Sequence, residues 1–448
     1  MQLSRFVVTY ENVRPGENVL YSVLDDRYLG LDENTLAAVR RWSVGGAAAD
    51  AIESETQQVL LDDGFLVESR SVDDVRLRAQ LDKAAQGYPG TMFVTLMPTL
   101  ACNLACNYCF QKDSPAFNTM HKPTEAATLE WILRTVDERS LSKLHVHYFG
   151  GEPLTRKGFC LRTAEALGAS MRARGGTFEW SMTTNGIGLD VEFAKSMLAC
   201  GPGGFKVTLD GDQETHDQMR VWRDGKGTFE QIFAAVEAVA PHAKIRIGGN
   251  FLPHQAASFE RLLERIEASG LGKLLDGVVF KPIIDVQLQK SSCTGCGDNQ
   301  QETKTLVQLN KAIDKKGLGL KRFERDTLES LLGPCELHWK NNYTIDPDGY
   351  VYKCPAVAGR QALAVTQVSE SAREKIAPLL ASRPWEQCGD CAYLSVCVGG
   401  CLGGKYLSTG RTDQVLCRKE QFEKSFRETV SRRYLEEFSS DSQWNNAA

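Results

Sequence analysis

The chain has 448 residues, 42% hydrophobic and 24% charged, with a formal net charge of -5. These values exclude a disordered or fibrous chain and leave no basic footprint for a nucleic-acid binder. No run is long and apolar enough to span a bilayer, and residues 1–16 have no basic stretch followed by an apolar one, as a secretory signal requires. A cytoplasmic location is therefore expected. There thiols stay reduced, and fourteen cysteines read as metal ligands before disulfides.

The length suggests roughly three domains. Residues 6–10 and 19–24 alternate as half-buried strands do, with a polar break at 14–17. Asp32 is placed to cap a helix over 33–42, and a second helix over 53–62 precedes the short strand 64–67. Strands, helices and a last strand predict a winged-helix-like domain over 1–85. From Thr91 the pattern becomes strand then helix: strands at 92–97, 144–148, 178–183, 204–209, 245–251 and 278–282, helices at 125–139, 159–174, 191–199, 229–239 and 258–269. Such alternation makes an α/β parallel sheet, here a partial (β/α)6 TIM-like barrel over 90–285, with functional residues on loops at the carboxyl ends of strands. A bridging region follows at 286–333. Over 334–420 cysteines, glycines and turns dominate, and bound metal is expected to supply what burial does not. Residues 421–448 read as a charged surface helix and a polar tail.

Directly after the first barrel strand stand Cys102, Cys106 and Cys109, spaced C-x3-C-x2-C. A four-iron cluster takes one thiolate per iron, so three thiolates leave one iron open to a reactant. A structural zinc site is the competing reading, but zinc normally fills four positions with closely paired ligands. His145 and His147 share one face of the second strand and read as packed and hydrogen-bonded; Cys160 and Cys200 in helices read as small hydrophobes.

The three-cysteine loop, with Tyr108 before its last cysteine, resembles the signature of the radical S-adenosylmethionine (SAM) superfamily. The resemblance implies a 4Fe-4S cluster whose open iron chelates the methionine moiety of SAM. An electron from the cluster then releases a 5'-deoxyadenosyl radical, and Tyr108 lies against the adenine. The other landmarks of that family follow in order at strand ends. Gly150, Gly151, Glu152 and Pro153 come after the second strand, with glycines that let backbone approach a ligand closely. Thr184 and Asn185 follow the third, Thr208 and Asp210 the fourth, and Asn250 lies on the fifth. By resemblance Thr208, Arg220 and Asn250 contact the ribose and carboxylate of the cofactor, and a guanidinium fork suits a carboxylate.

Further on come Cys335, Cys354, Cys388, Cys391, Cys397, Cys401 and Cys417. Two zinc sites remain an alternative on softness of ligand alone. The spacing resembles the cysteine-rich SPASM domain of peptide- and protein-modifying members, related to the anaerobic sulfatase-maturating enzymes. That resemblance implies two auxiliary 4Fe-4S clusters, three clusters in all: Cys388, Cys391, Cys397 and Cys417 on one, Cys335, Cys354 and Cys401 on the other. Several family members complete the second site with an upstream cysteine, but here the position six before Cys335 is Glu329, which leaves the site open or completed by Cys293 or Cys296.

In the sulfatase-maturing branch a catalytic aspartate follows the cysteine equivalent to Cys354; here that residue is Pro355, which cannot accept a proton. No catalytic acid or base is assigned. The N-terminal unit resembles the recognition elements of ribosomal-peptide maturases, which take a leader segment as an added strand. The expected activity is hydrogen abstraction from a precursor peptide with carbon-carbon or thioether crosslinking, with an external electron donor such as flavodoxin or ferredoxin. Radical modification of a small molecule or a dedicated partner protein is the second reading, and an iron-sulfur electron carrier or redox sensor the third. Neither nucleic acid nor membrane is an expected partner.

Overall fold

The computed structural model describes residues 1–45, 49–111, 118–283, 300–319, 335–370 and 374–438. Cys293, Cys296 and Glu329 lie outside them, so the completion of the second auxiliary site by a cysteine of that loop is not addressed by the fold.

The N-terminal unit runs β1 (Gln2–Leu3), β2 (Val7–Arg14), β3 (Glu17–Ser22), β4 (Arg27–Asp32), α1 (Glu33–Ser43), α2 (Ser54–Asp62), β5 (Leu66–Val67) and α3 (Arg70–Ala85). Strands β2, β3 and β4 form an antiparallel meander, and β1 pairs with β5. The sequence pattern does not announce β4, because Gly30 interrupts its short apolar run and Asp25 and Asp26 read as a break. As expected, Asp32 caps α1, accepting from the amides of Asn34 and Thr35 at 2.8 and 3.0 Å. One face of the meander packs Leu20 and Leu31 onto Leu36, Val39 and Leu60 of the helices. Buried Asp73 ties the chain start to α3 by accepting from Ser4 Oγ at 2.7 Å and Arg5 N at 2.8 Å.

The central body alternates strand and helix: β6 (Thr91–Leu96), α4 (Lys122–Glu138), β7 (Lys143–Tyr148), α5 (Lys157–Ala173), β8 (Thr177–Thr184), α6 (Val191–Cys200), β9 (Gly203–Thr208), α7 (Gln213–Met219), α8 (Phe229–Val239), β10 (Lys244–Phe251), α9 (Ala256–Ala268), β11 (Gly277–Pro282) and α10 (Gln300–Lys315). The six strands are parallel and neighbours in chain order, an α/β sheet that does not close. Along each strand every second residue, such as Val94, Val146, Trp180 and Ile247, is buried beneath the helices. The residues between them, such as Phe93, His145, Ser181, Lys206 and Arg246, are less buried and mostly polar. That inner face is the wall of a partial barrel.

Downstream come β12 (Asn342–Ile345), β13 (Tyr350–Tyr352), β14 (Thr366–Gln367), α11 (Pro378–Ala381), α12 (Leu394–Cys397), α13 (Leu402–Thr409) and α14 (Lys419–Glu437). Strand β12 pairs parallel with β6, so the sheet has nine strands in the order β11-β10-β9-β8-β7-β6-β12-β13-β14. The cysteine-rich segment is thus not dependent on metal alone. Leu337, Tyr352, Val357, Leu379 and Leu402 share an apolar cluster with Met97 and Leu100 at the mouth of the barrel.

The reading of the last helix as a charged surface element needs correction. Phe426, Val430 and Tyr434 of α14, four residues apart on one face, are buried against Tyr10, Tyr21 and Tyr393. The helix lies on the second face of the meander, close enough to Gly30 that a Cβ there would overlap the Tyr434 ring. It fastens the N-terminal unit to the cysteine-rich segment. No helix among the described residues is long and apolar enough to cross a membrane.

Candidate active site

The cysteine loop leaves β6 and is held by backbone contacts on two sides. Ala105 N donates to Val221 O at 2.9 Å, Leu104 bridges Trp222, and Arg223 Nη2 donates to Cys102 O at 2.9 Å. On the other side Gly151 N donates to Thr99 O at 2.9 Å and Glu152 N to Ala101 O at 3.0 Å. A Cβ on Gly150 would stand 2.3 Å from Thr99 O, and one on Gly151 would stand 2.0 Å from Ala101 O. On the side that a Cβ would occupy, these glycines make a close approach to the cysteine loop.

Glu152 likewise faces inward. It is 1% exposed, and its carboxylate accepts from Thr184 Oγ1 at 2.6 Å, Asn185 N at 2.7 Å and Leu154 N at 2.9 Å. Burial pushes its pKa up, while these donors pull the other way. Glu152 thereby joins the loop ends of β7 and β8, with Pro153 buried at the start of the next turn. Asn185 completes the tie: its Nδ2 donates to Asn103 Oδ1 at 2.8 Å and lies 3.9 Å from Cys102 Sγ.

A second constellation gathers beside Cys106. Tyr108 Oη donates to Asp210 Oδ2 and accepts from Arg220 Nη1 at 2.6 Å and Asn250 Nδ2 at 3.2 Å. Asp210, fully buried, also accepts from Asn250 N at 2.6 Å. Tyr108, Asp210, Arg220 and Asn250, assigned from four separate segments, thus meet at one point. Thr208 is buried at the end of β9, two residues from Asp210. Arg220 is 8% exposed, and its Nε is buried without a partner. A buried guanidinium edge of this kind has room for an anion's hydrogen bond.

His216 positions that arginine. Its Nδ1 accepts from Asp210 N at 3.1 Å, so Nε2 carries the proton and faces Thr228 Oγ1 at 3.0 Å; Thr228 Oγ1 in turn donates to Arg220 O at 2.7 Å. Burial, then the Arg220 charge, push the His216 pKa from its ordinary 6.5 down to about 3. Between those values the unfolded chain binds a proton that the folded chain refuses, so the His216 contribution is intact above 6.5 and is lost as pH falls. Urea unfolding is expected to show stability falling with a slope approaching ~1.4 kcal/mol per pH unit from this group, and His216→Gln should flatten it. An identical slope in the variant would assign the effect elsewhere.

Burial, with the neighbouring Glu152, Cys106 and Cys109, raises the Cys102 thiol to about 11, and burial likewise raises Cys106 despite Arg220. These thiols within mutual electrostatic reach stay protonated unless a metal centre stabilises the thiolates. No three His, Cys, Asp or Glu among the described residues converge as a single ion requires. A four-iron cluster takes one thiolate per iron, which matches three cysteines on one loop with one iron left open.

The downstream cysteines fall into two electrostatic groups. Cys354, raised to about 12 by burial, senses Cys335 and Cys401. Cys397, also raised by burial to about 12, senses Cys388, Cys391 and Cys417. His145 Nε2 and His147 Nδ1 both stand 2.8 Å from Ser181 Oγ, an arrangement of shared hydrogen bonding. Sequence reasoning did not find Asn103, Arg223 or Ser181. Only Arg223 carries a signal, its place three residues after Arg220.

An open parallel half-barrel with a three-cysteine loop at its mouth defines the class. Residues 96–265 match the model of the Radical SAM superfamily, and the chain carries a radical SAM domain. The serine-type anaerobic sulfatase-maturating enzyme of Bacteroides thetaiotaomicron is 27% identical over 159 residues, 34% of this chain but only 37% of that relative's length. Mycofactocin maturase MftC of Mycolicibacterium smegmatis is 26% identical over 365 residues, 73% of this chain and 82% of that protein. Among solved structures, anSMEcpe with bound AdoMet superposes with a TM-score of 0.59 at 18% identity, covering 77% of this chain and 99% of the other. Streptococcus suis SuiB bound to precursor peptide SuiA gives 0.50 at 13% identity, covering 93% and 99%. At these identities the two structures show the shared fold.

Proposed function

We propose that the protein is a radical SAM maturase that modifies a ribosomally synthesised precursor peptide, joining two of its residues by a carbon-carbon or thioether bond. Cys102, Cys106 and Cys109 hold the 4Fe-4S cluster, which supplies with SAM the hydrogen-abstracting radical. Arg220 and Asn250 hold the polar end of SAM, with Thr208 beside them; Tyr108 and Asp210 fix their directions. Glu152 keeps the cysteine loop and the loop after β8 in register. The two downstream cysteine groups hold auxiliary 4Fe-4S clusters that pass electrons to or from an external donor of flavodoxin or ferredoxin type. Pro355 begins a turn directly after Cys354 and offers no base there, which disfavours the sulfatase chemistry.

The observation that carries the peptide reading is β4. It is the outer strand of the meander, unpaired on its far side among the described residues, in a unit fastened to the cysteine-rich segment by α14. A cavity of about 630 Å³ opens where β4 begins, with Trp42, Leu61, Leu66 and Val67 among its lining residues. An extended leader adds main-chain hydrogen bonds along such an edge and places a side chain in such a cavity. The relatives support the same reading, since MftC is named a maturase and SuiB was captured with its precursor peptide.

Hydrogen-deuterium exchange on the intact holoenzyme tests it. A leader peptide should slow exchange of the Arg27–Asp32 amides on binding. Unchanged exchange there, with the peptide bound, would remove the N-terminal unit from recognition and favour a small-molecule or partner-protein substrate.

A further inference from the structure

The inner face of the barrel carries more positive charge than it neutralises. Near its floor Lys143 pairs with Glu179 at 2.8 Å and Arg246 with Asp276 at 2.9 Å. Lys206 and Lys281 have no ion pair or hydrogen-bond partner among the described residues; Asp210 acts on the first, and Glu336 and Cys335 on the second, only at a distance. Lys206 lies on β9 beside Arg246 of β10, and Lys281 lies on β11 beside Asn250 of β10. The stem of Lys206 runs across Gly248: a Cβ there would meet Lys206 Cε at 2.3 Å. Glycine within a strand marks a close approach of this kind. The lysine is thereby turned over β10 toward β11, where it senses Lys281.

With no counter-ion in contact among the described residues, the Lys206 ammonium bears the cost of burial and of the neighbouring cations, while Lys281 itself is exposed. The effect is visible in Lys206, whose pKa is brought down to about 8 by burial first and then by Lys281 and Arg246. An anion between the two relieves both penalties. Lys206 sits two and four residues before Thr208 and Asp210, ~7 and ~13 Å further down the strand, while Lys281 stands level with Asn250, so the pair reaches from the level of the SAM site down the wall.

We propose that Lys206 and Lys281 form a carboxylate-binding subsite on the inner wall of the barrel, which seats an acidic group of the substrate beside the SAM site. This rests on the peptide reading above. An unmodified ribosomal peptide carries no other anion than the carboxylates of Asp, Glu and the C-terminus. Either source has the chemistry that two lysines recognise, and holding it fixes which neighbouring carbon faces the cofactor.

Differential acetylation of the holoenzyme with SAM, read by mass spectrometry, tests the subsite. The probes are N-acetylglutamate α-amide for a side-chain carboxylate, N-acetylalanine for a C-terminal one, and N-acetylglutamine amide as the neutral control. At saturation one carboxylate probe should slow labelling of Lys206 and Lys281 by about fivefold or more, as an ~80% occupied site does, and the neutral probe should not. The better probe names the source. In Lys206→Met, which keeps the stem over Gly248, protection of Lys281 should disappear while 5'-deoxyadenosine formation without substrate is retained. Equal protection by the neutral probe, absence of protection by either carboxylate, or protection of Lys281 that survives in Lys206→Met would overturn the subsite. Leader-induced protection of β4 is read separately, so loss of the subsite and loss of the peptide reading give different results.

Discussion

Replacing Cys106 with alanine is expected to abolish reductive 5'-deoxyadenosine formation, by at least about a thousandfold, and to lower iron content, while the fold is retained. The loop is shaped by backbone contacts of Ala105, Leu104 and Gly151, and Cys102 Sγ accepts a backbone hydrogen bond from Leu104 N at 3.4 Å. Removing the half-buried Cys106 thiol therefore takes away a proposed cluster ligand and little structural support. Its environment makes the same point: burial raises the thiol and Arg220 lowers it, the balance of a group that becomes anionic only when a metal centre is present. Iron analysis, circular dichroism and product detection on one preparation check all three parts. Undiminished 5'-deoxyadenosine formation would exclude this loop from the reaction.

Phe426→Ala is expected to cost about 3–5 kcal/mol, the range for truncating a fully buried aromatic. Phe426 is 0% exposed and packs against Tyr21 of the N-terminal meander at 6.0 Å between ring centroids and Tyr393 of the cysteine-rich segment at 5.3 Å. Its loss weakens the joint between two units as well as the helix. The N-terminal unit should become more sensitive to limited proteolysis, and leader affinity should fall through looser attachment, with SAM cleavage largely preserved. Denaturant unfolding supplies the magnitude. A surface helix would give a change within roughly 0.5 kcal/mol, so the measurement separates a staple from a solvated tail.

Much of the catalytic body is legible in the amino-acid order. The six parallel strands are found within a residue or two because alternate positions must be buried under helices, and apolar residues recur at period two. The C-x3-C-x2-C loop and the residues at strand ends follow, since a parallel strand delivers its loop to the same rim each time. Asp32 is legible as a cap for a local reason: its short carboxylate reaches only the first free amides of the helix that follows it.

Contacts between distant segments are decided only in three dimensions. That Gly150 and Gly151 pack against Thr99 and Ala101, some fifty residues away in the chain, is visible only in the fold. The stripe Phe426, Val430, Tyr434 is visible in sequence, but the ten charged residues from Lys419 to Glu437 mask it, and its partner Tyr21 is set by where β12 returns the chain to the barrel. Lys206 is one lysine among many until Gly248 is found beside it and Arg246 is found already paired. The three cysteines, by contrast, are legible as a motif in the sequence, because they lie together in one short loop. What the fold adds is the Tyr108, Asp210, Arg220 and Asn250 network, drawn from segments up to 142 residues apart, which hydrophobic burial of the sheet brings to the same rim.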